Sequence, residues 1–520
     1  MEKITYASLS LLGEDFHRAF DLALAYEHKK LGRSHPLFIH GQKKKGKGAP
    51  FQDTNPADTR MVLGEFESAG REETRQAIQS ARAALRDWHE LGWIQRVAFL
   101  RKAAALMTER QFRLAALVSL EVGKTRAEAM AEVCESIDLL LYYCRQMELH
   151  HGYALAMGGA GPEQTRTVLK PYGVWAVVAP FNFPLALATG MAAAALVAGN
   201  TIVFKPSSDA PLSGLLLYDL LHEAGLPVGV ANFVTGAGGT VGEELLTNLD
   251  VDGFIFTGSR QVGLQLVRRF NQPRLRPCLA EMGGKNAVIV MPSADLEDAA
   301  EGVMRSAFSL AGQKCSACSR LYLHRNIYKP LLELLVAKTK RLAIGDPLSR
   351  GTFLGPLINA ASVSRYEAAV RLGKKEGRLV HGGNRLRDRE HGFFVEPAII
   401  DRAAPTSHLF QDEFFAPLLA VAEIKSLEEG IGLANATEYG LTAGIFTREE
   451  HEQEAFFEAI EVGAAYSNRR GGATTGAWPG VQSLSGWKHS GSSGKGALGP
   501  YYIPQFMREQ SQTRAKLRVT

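Results

Sequence analysis

The sequence predicts an α/β protein organised around a parallel sheet, with a second α/β domain following in the chain. Three observations carry that expectation. Short apolar runs of strand length fall at 174–179, 201–204, 231–234, 253–256 and 286–291. Helix-like segments, 185–198 and 212–224, lie between the early ones, and strands alternating with helices of that length form βαβ units. A similar alternation resumes over about 285–480.

Taken in chain order, residues 1–50 read as an N-terminal arm. Its basic, Gly-rich stretch 41–50 reads as a solvated loop. Residues 71–150 read as helical, because apolar side chains recur at helical spacing through Ala84, Leu85 and Trp88 and then Val97, Leu100 and Ala104. From Val177 to Phe204 the only polar side chains are Asn182, Thr189, Asn200 and Thr201, which mimics a membrane span. Pro180, Pro184, Gly190 and Gly199 cut that stretch, so it reads instead as a buried strand, a loop and a close-packed helix. The unusual residues follow the strands: 174–179 runs into Pro-Phe-Asn-Phe-Pro, 201–204 into Lys-Pro-Ser-Ser, and 253–256 into Thr-Gly-Ser. Parallel sheets bind ligands at those carboxyl ends, where the loops emerge.

Composition narrows the class. The chain has 520 residues, 46% hydrophobic and 22% charged, enough for large cores and far from a disordered composition. A net charge of +5 gives no concentrated basic surface, so neither nucleic acid nor membrane is an expected partner. Five cysteines are too few for a disulfide framework and odd in number, which fits a reducing compartment; cytoplasmic localisation is expected. The N-terminus has no charged region followed by an apolar one, so no secretory leader is expected.

Several motifs carry chemistry. The loop Gly236–Gly242 does not fit the dinucleotide fingerprint, because Val241 stands where the third Gly belongs. Gly258 and Ser259 open a helix-like segment that includes Gly263, so Ser259 either caps it or also meets a phosphate. Cys315 and Cys318 form a lone Cys-x-x-Cys without a second pair or a suitably placed His, so no metal is expected, although the spacing alone suggests a redox role. Cys315 reads as either inert or a nucleophile, with Lys314 beside it expected to lower its pKa. Glu281 reads as a surface carboxylate or a general base, and the Asn182 amide as a donor to a developing oxyanion.

Together, Pro-Phe-Asn-Phe-Pro (180–184), Lys-Pro-Ser (205–207), Phe-Thr-Gly-Ser (256–259), Glu-Met-Gly-Gly-Lys (281–285), Gly-Gln-Lys-Cys (312–315) and Asp-Glu-Phe-Phe-Ala-Pro (412–417) resemble the aldehyde dehydrogenase superfamily over about 50–515. The resemblance implies a Rossmann-type NAD(P) domain (51–152 and 172–280), a catalytic domain (281–483) and an oligomerisation segment (153–171 and 484–520). It implies that Cys315 attacks the aldehyde, that Asn182 and the Cys315 amide hold the oxyanion, that hydride leaves to NAD(P), and that Glu281 activates the water that hydrolyses the thioester. Lys205 and Glu413 match residues that hold the riboses, Phe415 an aromatic near the nicotinamide, Ser259 with its neighbours Gly258 and Gly263 the pyrophosphate contact, and Phe181 the border of that site. Ser208 stands where NAD-preferring members often have Glu, which leaves NADP open beside NAD.

Within the superfamily, Gly-Gln-Lys-Cys-Ser-Ala-Cys-Ser-Arg (312–320), with segments 121–129 and 473–477, resembles the 1-pyrroline-5-carboxylate (glutamate γ-semialdehyde) dehydrogenases. That implies anchoring of a substrate carboxylate by Ser316, Gly476 and Ala477, with Phe183 against its methylenes. Leu484 departs from the usual Phe and removes one aromatic wall, so a different semialdehyde or an aliphatic aldehyde is the alternative substrate. The aromatic C-terminal segment 500–513 implies burial against another chain, in a homodimer or higher homo-oligomer.

Overall fold

The computed structural model describes residues 5–6, 13–158, 163–389, 391–472 and 477–515. Its first seven-stranded sheet runs in the order Cys278–Glu281, Gly253–Thr257, Val174–Val178, Thr201–Lys205 and Ala231–Phe233, all parallel, and ends in an antiparallel hairpin, Leu37–Ile39 and Gln42–Lys44. The central strands are apolar nearly throughout because helices cover both faces. From Val174–Val178 the chain winds first to one side and then, at Gly253–Thr257, to the other. The crevice at that reversal is where open α/β sheets take ligands.

The hairpin corrects the expectation of a loop at 41–50. Leu37 and Ile39 bury on the sheet edge, and Phe38 packs on Tyr218 with ring centroids 4.8 Å apart. Lys43 and Lys44 stay exposed on the outermost strand, where charge protects an open edge from further pairing. Ahead of the hairpin, Glu14–His28 forms a helix that buries Phe16 and Phe20.

Residues 71–149 form four helices, Arg71–Glu90, Gly92–Glu109, Gln111–Val122 and Arg126–Leu149. The third stops at Gly123, left-handed at φ 71°, and the fourth starts on a capping box in which Thr125 and Glu128 satisfy each other's free backbone N–H groups. The stretch that mimics a membrane span divides into the Val174–Val178 strand, the Ala186–Val197 helix and the Thr201–Lys205 strand. Among the described residues no helix is long and apolar enough to cross a membrane.

The second sheet runs Arg378–His381, Ala398–Asp401, Leu418–Ile424, Cys318–His324, Asn286–Val290, Thr442–Phe446 and Ala464–Ser467, parallel except at its first edge strand. A third, antiparallel sheet pairs Ala154–Met157, Glu163–Pro171 and Met507–Ala515. The aromatic C-terminal segment differs from expectation. Tyr502 and Phe506 are buried in their own chain, on Tyr143 (5.7 Å) and Trp175 (4.6 Å), because the turn Ile503–Phe506 lies on the first core before the last strand departs. Only Tyr501 of that cluster is exposed.

Candidate active site

The carboxyl ends of the first sheet open into a cleft of about 860 Å³. Parallel register sets Lys205 level with Val178, and Glu281 level with Thr257, so the strand ends deliver their polar residues to one rim. Phe181, Asn182, Lys205, Ser208, Gly258, Ser259, Glu413 and Phe415 all line this cleft. Gly263 does not: it is buried one turn into the Arg260–Phe270 helix, where a Cβ would collide with Met282, so its smallness serves packing. Ser259 caps that helix, its Oγ accepting from the Val262 N–H at 3.4 Å, and the first turn faces the cleft. Gly238, Gly239 and Gly242 of the glycine loop line the same space, although their spacing fits no fingerprint.

Electrostatics in the cleft follow from burial. The Lys205 ammonium, whose Nζ donates to the Pro206 carbonyl at 3.1 Å, is pulled down to about 8 by burial, with Asp209 opposing. Glu413 is pushed up to about 7 by burial, although it accepts from the Gly284 N–H at 3.0 Å. Phe415 holds a left-handed backbone (φ 53°) and sets its ring edge-on to Phe181 at 5.9 Å. Non-glycine residues in that region carry strain of about 1 kcal/mol and need a surrounding structure that holds them.

Cys315 sits in a turn held from every side. Leu310 and Ala311 are left-handed (φ 49° and 52°), and Gln313 then ties down the loop: its Oε1 accepts from Ile358 N–H at 2.9 Å, and its carbonyl accepts from Asn182 Nδ2 at 3.0 Å. Behind the thiol, Asn286 Nδ2 donates to the Cys315 carbonyl at 2.6 Å. Contrary to the sequence expectation, the thiol is pushed up to about 12, by burial first and then by the Glu413 and Glu281 carboxylates. Lys314 does not offset this, because its ammonium turns to Glu128, 3.8 Å away. Glu281, at the end of its strand, is raised to about 8 by burial and accepts a backbone hydrogen bond from Gly486. Cys318 begins the next strand with its Sγ–H donating to the Arg320 carbonyl at 3.5 Å, buried and likewise raised to about 12.

On the other side of Cys315 lies a smaller, mainly apolar cavity of about 80 Å³. Glu281, Phe183, Ser316, Ala477 and Leu484 line it; Gly476 lies outside the described residues. Cys315 alone among the three catalytic candidates lines both cavities.

A scan of family models matches residues 43–511 to the aldehyde dehydrogenase family. The chain belongs to that family. It is 38% identical over 500 residues to 1-pyrroline-5-carboxylate dehydrogenase 1 of Halalkalibacterium halodurans, covering 95% of each chain. The Thermus 1-pyrroline-5-carboxylate dehydrogenase solved with bound NAD superposes with a TM-score of 0.93 at 35% identity, covering 98% of each chain. An indole-3-acetaldehyde dehydrogenase complexed with NAD+ also matches, at TM-score 0.89 and 27% identity, over 95% of this chain and 99% of that one.

This aldehyde dehydrogenase positions its site through residues that the sequence reading did not single out. Glu128, Glu132 and Glu135 recur at i, i+4 and i+7 on the Arg126–Leu149 helix, a spacing that ordinarily marks a solvated face, yet all three are buried. Glu128 accepts from Leu310 N–H at 3.0 Å, ahead of Cys315. Glu132 accepts from Leu185 and Ala186 N–H at 2.9 and 3.1 Å, beside Phe183, and pairs with Lys124. Glu135 accepts from the Tyr6 hydroxyl at 2.8 Å. One helix face thus fixes three segments that border the cavities.

Gly283 supplies a direct test of the cleft. A Cβ there would overlap both carboxylate oxygens of Glu413. Gly283→Ala is expected to displace Glu413 and weaken NAD binding about tenfold, ~1.4 kcal/mol, by isothermal titration with the fold retained. Unchanged affinity would count against Glu413 as a cofactor contact.

Proposed function

We propose that the enzyme oxidises L-glutamate γ-semialdehyde, the open form of 1-pyrroline-5-carboxylate, to L-glutamate with NAD as hydride acceptor, in proline catabolism. The observation that carries this reading is the position of Cys315 between the larger cleft and the smaller apolar cavity, with Glu281 on the wall of the latter. The two 1-pyrroline-5-carboxylate dehydrogenases among the named relatives support the substrate, and the NAD bound in both solved neighbours supports the cofactor.

The donor set suits a dinucleotide. Ser259 with its helix N-terminus suits a pyrophosphate, Lys205 and Glu413 suit ribose hydroxyls, and Phe181 with Phe415 offers flat apolar surface. When bound, the nicotinamide accepts the hydride released from the substrate carbon. Cys315 sulfur adds to the aldehyde carbon, its proton leaving to water in the cleft, to give a thiohemiacetal. The Asn182 amide, pinned through one hydrogen on Gln313, donates its other hydrogen to the oxyanion alongside the Cys315 N–H. Loss of hydride leaves a thioester on Cys315. Glu281 takes a proton from water, and the resulting hydroxide displaces the sulfur to give the acid. Ser316, Gly476 and Ala477 anchor the α-carboxylate, and Phe183 covers the methylenes. Stoichiometric glutamate and NADH from 1-pyrroline-5-carboxylate is the expected result; NADH formation without glutamate would refute the reading.

Cofactor preference rests on the rim. Ser208 is exposed and neutral, but the Asp209 carboxylate beside it also lines the cleft. A unit charge about 4 Å from a 2′-phosphate in water is worth ~1 kcal/mol, or about fivefold. Asp209→Ser is therefore expected to raise the NADP-to-NAD ratio of kcat/KM about fivefold. No change would assign the preference elsewhere.

We read the third sheet as the oligomerisation element of a homodimer or higher homo-oligomer. Its outer strand exposes Leu155 and Met157, at 56% and 54%, on an open edge that suits a second copy. The cytoplasm is the compartment this reading favours, supported by the small and odd number of cysteines.

A further inference from the structure

The apolar cavity beside Cys315 is finished by a residue from the opposite end of the chain. Tyr6 is 6% exposed, and its ring packs edge-on against Phe183 at 6.0 Å and Trp478 at 5.8 Å. Its hydroxyl donates to Glu135 at 2.8 Å, which fixes the ring's direction. Glu135 and Tyr6 line the same space as Cys315, Ser316 and Leu484. Phe183 is itself held by the Lys124 ammonium, 3.5 Å from its ring centre. Tyr6 is therefore clamped between two aromatic rings and a carboxylate, on the wall of the cavity that Cys315 also lines.

We propose that Tyr6 is a specificity-determining residue of the aldehyde pocket, setting the length and bulk of the chain the pocket admits. A hydrocarbon wall discriminates by shape: each methylene that fits or fails to fit is worth roughly 1–3 kcal/mol, or 10- to 200-fold in kcat/KM. The ring sets the size limit, and the hydroxyl on Glu135 keeps the ring in place. This inference rests on aldehyde oxidation at Cys315.

The test compares kcat/KM for 1-pyrroline-5-carboxylate, hexanal and benzaldehyde in the parent, Tyr6→Phe and Tyr6→Ala, with NAD binding measured alongside. Tyr6→Ala is expected to raise the benzaldehyde-to-pyrroline-carboxylate ratio at least tenfold, with NAD affinity unchanged. Tyr6→Phe, which keeps the ring, is expected to hold that ratio within about threefold of the parent. If Tyr6→Ala is too unstable to assay, Tyr6→Leu is read in the same way. A ratio unmoved by loss of the ring overturns the proposal and leaves aldehyde oxidation standing. A parent that oxidises none of the three aldehydes overturns both.

Discussion

Cys315→Ala is expected to abolish oxidation of every aldehyde, by about 10⁵-fold, because the covalent route through the thiohemiacetal disappears. NAD binding should stay within about twofold, since Cys315 is one of many residues lining the cleft and the donors proposed for the dinucleotide, Lys205, Ser259 and Glu413, are untouched. The resting thiol adds an independent readout. Raised to about 12 by burial and by two carboxylates, it holds a thiolate fraction of about 10⁻⁵ at pH 7. Alkylation of Cys315 by iodoacetamide in the cofactor-free enzyme should therefore rise about tenfold per pH unit between 7 and 10. Turnover by the alanine variant, or labelling that ignores pH, would contradict this assignment.

Glu281→Gln is expected to cut kcat by about 10²–10³, within the roughly 10²–10⁴ that a positioned general base supplies. The loss should fall on thioester hydrolysis: one equivalent of NADH forms quickly, turnover then stalls, and acid-quenched mass spectrometry finds an acyl adduct on Cys315. The pH dependence has a definite sign. Burial disfavours the carboxylate anion and raises Glu281 to about 8, so the base form is the minority below pH 8 and the majority above it. In the parent, kcat should climb through pH 8 and then level. The Gln variant should lack that climb. A steady-state rate equal to the parent's would remove Glu281 from the hydrolytic step.

Most of the site's inventory was legible because its residues sit where strands end. The apolar runs that end near Lys205 and Ser259 are buried on both faces, so their limits stand out, whereas Glu281 ends a short, half-buried strand, Cys278–Glu281, that no apolar run marks. What sequence adjacency could not give was direction. Lys314 is next to Cys315 in the chain, yet its ammonium turns toward Glu128, and the charges that act on the thiol are the like-signed carboxylates of Glu413 and Glu281. Glu128, Glu132 and Glu135 share one helix face, and spacing reports which residues share a face, not what that face meets. Tyr6 was beyond reach for a simpler reason: 129 residues separate it from Glu135, and only the folded chain brings them together. The reverse error occurred at the C-terminus, whose aromatics suited a partner chain but found Tyr143 and Trp175 in their own.

The central claim, a glutamate-semialdehyde oxidation at Cys315, is tested most directly by NADH formation from purified enzyme. The substrates are 1-pyrroline-5-carboxylate, succinate semialdehyde and hexanal, each offered with NAD and with NADP. The predicted result is a kcat/KM for pyrroline-carboxylate with NAD at least tenfold above every other pairing. Turnover of another aldehyde with none of pyrroline-carboxylate would keep the proposed Cys315 chemistry and contradict the proposed carboxylate anchor at Ser316, Gly476 and Ala477.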